Sequence, residues 1–103
     1  GAIIINNISG QLTIEDGSGA ITASNITDSV NIHDGSGSIE LANTQGDVII
    51  HDGSGNIDVQ NIVGKVTVTD GSGGIYVNKA GSFTLLADGS GSVTIKNVPV
   101  QNL

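Results

Sequence analysis

Asp-Gly-Ser-Gly occurs five times in this chain, beginning at Asp16, Asp34, Asp52, Asp70 and Asp88, and every interval is 18 residues. A carboxylate and a hydroxyl recurring among glycines suggest two chemistries: oxygen ligation of calcium, or a serine nucleophile presented on a sharp turn. His33 and His51 stand immediately before two of these aspartates and share the 18-residue interval, so with Asp34 and Asp52 they make a candidate transition-metal set. A catalytic serine must be singular and strained, whereas Ser18, Ser36, Ser54, Ser72 and Ser90 are five copies of one position. Glycoside cleavage needs two carboxylates in different environments across a groove, and Asp28, Glu40, Asp47 and Asp58 show no such pairing. No catalytic residue is assigned, and the chain reads as a non-enzyme.

The interval points to the elements that must place these residues. Each period divides into two nine-residue halves, D-G-S-G-x-I-x-V-x as in "DGSGSIELA" (residues 34–42) and N-x-x-G-x-V-x-I-x as in "NTQGDVIIH" (residues 43–51). Each half reads as a four-residue turn followed by a five-residue strand whose alternation puts two aliphatic residues on one face. No 3.6-residue period survives, so no helix is expected. A single 18-residue period cannot bury its own apolar face, and successive periods must stack. The fold expected is an all-β, two-sheet β-solenoid, β-helix- or β-roll-like, forming a single domain over residues 1–103. At an inter-strand spacing of about 4.8 Å it makes a rod of about five and a half rungs.

The inward set runs from Ile3, Ile5, Leu12 and Ile14 to Val93 and Ile95, with a further apolar column at Ile8, Ile26, Thr44, Ile62, Ala80 and Val98. Two irregularities stand out. "KAGSFTLLADG" has lost a residue before Gly81 and gained one after it, which a β-bulge reconciles, with Phe83 inward and Leu85 or Leu86 in the core slot. Pro99 reads as a terminator of regular pairing.

Reversing the chain between facing sheets calls for positive φ, and two glycines per turn answer it. They are Gly17, Gly35, Gly53, Gly71 and Gly89, followed by Gly19, Gly37, Gly55, Gly73 and Gly91. The Asp side chain can cap backbone N–H groups of the turn. Asn25, Asn43, Asn61 and Asn97 hold the matching place in the other turn and can stack their amides. Stacked carboxylates repel by about 1 kcal/mol per neighbouring pair in water. The expected result is stability that rises as pH falls from 7 towards 5, or as calcium is added.

With three lysines, no arginine, ten acidic residues and a formal charge of −7, the chain lacks the clustered cations that nucleic acid or anionic lipid requires. Its longest apolar run, Ala2 to Ile5, is far too short to span a membrane, and no signal peptide opens the sequence. Gly rather than Met at the start reads as a processed or excised product. Cysteine is absent, so redox usage does not indicate a compartment.

The paired nonapeptides resemble the β-roll of RTX toxins, but the place of that family's calcium-ligating Asp holds Ile21, Ile39, Ile57, Ile75 and Val93. RTX-type calcium binding is not expected, and any calcium would sit on the Asp edge. The phrases "DGSGAI", "DGSGSI", "DGSGNI", "DGSGGI" and "DGSGSV", with "NIVGKVTV" at residues 61–68, more closely resemble the bacterial putative auto-transporter adhesin and head-GIN repeat families. That resemblance spans nearly the whole chain. It implies an envelope-associated or extracellular β-solenoid and carries over no catalytic residue.

Ice binding by flat threonine arrays is not supported, because the outward columns (Thr22, Glu40, Asp58, Tyr76, Thr94) form no regular lattice. What remains is a cell-surface scaffold or adhesin-like display rod, or alternatively a filament subunit that stacks end to end. The partner is then a second copy or the rest of a longer solenoid, met through Ile3, Ile4 and Ile5 at one end and Val93 and Ile95 at the other.

Overall fold

A computed structural model of the chain describes residues 2–89, 91–99 and 101–102, and for residues 16, 87, 88, 101 and 102 the backbone alone. The strands are β1 (Ile3–Ile8), β2 (Leu12–Asp16), β3 (Ile21–Ile26), β4 (Val30–Asp34), β5 (Ile39–Thr44), β6 (Val48–Asp52), β7 (Ile57–Ile62), β8 (Lys65–Asp70), β9 (Ile75–Asn78), β10 (Ser82–Asp88), β11 (Val93–Lys96) and β12 (Gln101–Asn102). Odd-numbered strands form one six-stranded parallel sheet and even-numbered strands a second, each in chain order. Ile21 pairs with Ile39, Val30 with Val48 and Ile57 with Ile75, always 18 residues on. The chain is therefore a two-sheet β-solenoid, and each sheet serves as the crossover that parallel pairing in the other requires.

Alternation does the positioning. In β4, Val30, Ile32 and Asp34 are buried while Asn31 and His33 face outward, and β6 repeats the pattern. Equivalent residues then stack into aliphatic ladders between the sheets, with Ile32, Ile39, Val48, Ile50, Val66 and Val68 wholly enclosed. The same columns are only partly buried at Ile3, Ile5 and Leu12 and at Val93 and Ile95, because a terminal rung has a neighbour on one side alone. Extents of 34 × 34 × 16 Å make the body a slab, as wide as it is long, where a rod was expected.

Phe83 is fully enclosed, and the register of β10 against β8 slips between Leu85 and Ala87. The bulge ejects Leu86, which is 64% exposed, and keeps Leu85 packed against the core. Pro99 does not end the pairing. It lies in the corner after β11, and β12 resumes the ladder by pairing Gln101 with Phe83.

Odd strands run to six residues because they pass through a left-handed asparagine: Asn7, Asn25, Asn43 and Asn61 have φ of 56–62°. That conformation breaks the alternation, leaving Ala42 and Asn43 facing out and returning Thr44 inward. Thr44 is the one hydroxyl in a column of aliphatic side chains, fully buried, and its Oγ1 has no hydrogen-bond partner. Thr44→Val removes this orphan at constant shape. It should stabilise the fold by about 1–2 kcal/mol in urea titration, and a lower midpoint would show that the hydroxyl is satisfied after all.

Candidate functional site

The Asp-Gly-Ser-Gly corner is where the repeated residues converge, and its two glycines have different reasons to be there. The second adopts positive φ, +115° at Gly37 and +112° at Gly55, which side chains rarely tolerate. The first does not, contrary to the expectation that both supply positive φ. It is required because the corners themselves stack: a Cβ on Gly35 would lie 2.7 Å from the carbonyl oxygen of Gly17, and one on Gly53 would lie 2.5 Å from that of Gly35. Backbone hydrogen bonds carry the ladder around the bend, the Gly53 N–H donating to the Asp34 carbonyl and the Gly71 N–H to that of Asp52, both at 2.9 Å.

The aspartates of this corner point inward. Asp34, Asp52 and Asp70 are 1–5% exposed and stacked in register, where a solvated acidic edge was expected. The Ser72 N–H donates to Asp70 Oδ1 at 3.2 Å, the turn-capping contact anticipated for this residue type. Asp52, in the middle, is pushed up to about 7, first by burial, then by the charges of Asp70 and Asp34, and the Ser54 backbone N–H opposes this only in part. Neither Asp52 oxygen closes a hydrogen bond of full geometry. The side chains of Asp16 and Asp88, and Ser90 altogether, lie outside the described residues.

The opposite corner carries asparagine amides. Asn61 Nδ2 donates to Asn43 Oδ1 at 3.2 Å, while Asn25 and Asn97 donate instead to Asn6 and Asn78, at 2.9 and 2.8 Å. Lys79 breaks the column, held at φ +62° with no amide to contribute. A shallow trough runs along this edge past Asn25, Asn43 and Asn61.

The histidines and aspartates grouped together in the sequence are separated in space by strand parity. His33 and His51 stand on the outer face with their rings stacked, centroids 4.6 Å apart and planes 15° from parallel, whereas Asp34 and Asp52 turn beneath the sheet. Both pairs border one open trough, with Glu15 and Thr69 continuing the histidine column on either side. On the other broad face, Lys96 Nζ sits 5.8 Å from the Tyr76 ring centre, a cation–π contact that occupies the sole tyrosine.

Of the end residues, Ile3, Ile5, Val93 and Ile95 line the axial columns, but Ile4 is 79% exposed on the outer face, so only its backbone meets the open edge. Comparison with known proteins found no matching family model, no matching curated protein and no matching solved structure. The buried aspartates were the feature that sequence reasoning missed. Their signal was parity: in V-x-I-x-D the aspartate shares its face with the two aliphatic residues.

Proposed function

We propose that the chain is a non-enzymatic structural module, a β-solenoid segment that serves as a scaffold or adhesin-like display surface at the cell exterior. The observation that carries this reading is the equivalence of the corners: the described copies of Asp-Gly-Ser-Gly share one register and one set of inter-rung hydrogen bonds. A catalytic centre distinguishes one copy from its neighbours, and here the sequence invests in repetition. The extracellular setting is supported by the resemblance of the "DGSGxI" phrases to envelope-associated repeat proteins. Screening the purified chain against esterase, protease and glycosidase substrates should give no turnover. Activity lost on Ser36→Ala or Ser54→Ala would overturn the reading.

A second reading, end-to-end self-assembly, is favoured by the terminal strands. The Ile3 N–H donates inward to Ala20 at 2.8 Å, so by strand alternation the Ile4 N–H points to the open edge. A second copy placing β11 beside β1 would continue the register, Val93 against Ile3 and Ile95 against Ile5. Ile4→Pro removes that edge donor without touching the interior ladder. Electron microscopy should then show filaments for the parent chain and dispersed particles for Ile4→Pro. Dispersed particles from both leave the module as a segment that stacks within a longer solenoid.

A further inference from the structure

We propose that His33 and His51 form a two-imidazole binding site for a late first-row divalent ion, copper(II) above all. The two rings belong to adjacent hydrogen-bonded strands, β4 and β6, whose register places one residue directly beside the other. Their centroids are 4.6 Å apart. Two nitrogens bound to one metal at about 2.0–2.1 Å lie about 3 Å apart when cis to each other. A modest tilt of each ring about its side-chain torsions therefore brings both onto a single ion. His33 is exposed and His51 half-buried, so the tilt displaces no core side chain.

The sheet holds the two backbones at fixed spacing, so little ordering remains when the second imidazole binds. Glu15 is the register neighbour of His33 and adds an anionic oxygen donor on the rung before. The formal charge of −7 favours a cation at any such donor pair. Among the described residues no group of three histidine, cysteine or acidic side chains is arranged to hold a metal ion, so the pair leaves most of the coordination sphere to water or to an outside ligand. Nitrogen donors with open positions rank the divalent ions in the order cobalt, nickel, copper, with zinc below copper.

The test titrates the full chain with copper(II) chloride in a non-coordinating buffer, read by calorimetry and by electron paramagnetic resonance. One ion per chain and a hyperfine pattern from two imidazole nitrogens are expected. His33→Ala and His51→Ala should each weaken binding by about tenfold or more, since each removes the second arm of the chelate. Adding Thr69→His to the His33→Ala variant places an imidazole beside His51 on the next rung and should restore the affinity. Circular dichroism of each variant verifies the fold. A single-nitrogen spectrum, undiminished binding in the His33→Ala/His51→Ala double variant, or failure of the Thr69→His rescue would each overturn the proposal.

Discussion

Gly55→Ala is expected to lower the thermal midpoint by about 15 °C or more, or to abolish cooperative folding. Two costs combine at this position. A φ of +112° is a region that side chains rarely enter, worth about 1–3 kcal/mol. The new methyl would also be driven into the carbonyl oxygen of Gly37 on the preceding rung, and backbone held by a ladder on both sides cannot retreat cheaply. Domains of this size have about 5–15 kcal/mol in total. Gly17→Ala is the matched control, because a Cβ there meets nothing within 4 Å and its φ is ordinary. Its midpoint should stay level or rise slightly, through the reduced freedom of the unfolded chain. Equal losses at both positions would show that the glycines act through chain flexibility and not through stacking.

The second large effect is a stability that climbs as the solution is acidified. Asp52 titrates near 7 in the folded protein against 3.8 for the ordinary side chain, so the folded state binds its proton more tightly than the unfolded state does. For an acid with a raised value, the folded state is most favoured below about pH 4, loses that advantage as pH rises towards 7, and is insensitive to this group above it. Between pH 8 and pH 5 the midpoint should rise by about 5–10 °C, taking about 4–8 °C per kcal/mol for a domain of this length. Asp52→Asn should melt higher than the parent at pH 8 and show a flatter pH profile. Scanning calorimetry at several pH values, with a chelator present, decides the matter. A parent profile that falls on acidification, or an Asn variant that keeps the full slope, would mean that the buried ladder is ionised and stabilising.

Much of the architecture was legible because the 18-residue period leaves little choice: residues at equal phase must sit side by side, and alternation assigns each to a face. Phe83 and the bulge beside it followed from counting alone. The left-handed conformation at Asn25, Asn43 and Asn61 was harder to see, since a turn and a six-residue strand with one reversed residue look alike in sequence. The burial of Asp34, Asp52 and Asp70 was missed for a different reason. Carboxylates are expected at the surface, and that general preference hid the parity that Val30, Ile32 and Asp34 share. His33 and His51 were correctly placed on neighbouring rungs, but their separation from the aspartates depended on that same parity.

The bulge at Leu86 also has a meaning for how such a protein changes length. Because every ladder closes only when the interval is 18 residues, whole periods can be duplicated or deleted with all columns intact, while any other change misaligns everything downstream. In this chain a residue lost before Gly81 and one gained after it cancel, with the surplus expelled at Leu86, and the phase is recovered by Asp88, which pairs with Asp70. The coil thus corrects a reading-phase error within half a turn. A gene encoding such a fold can drift by compensating single-codon slips and grow by copying units, and its product still stacks.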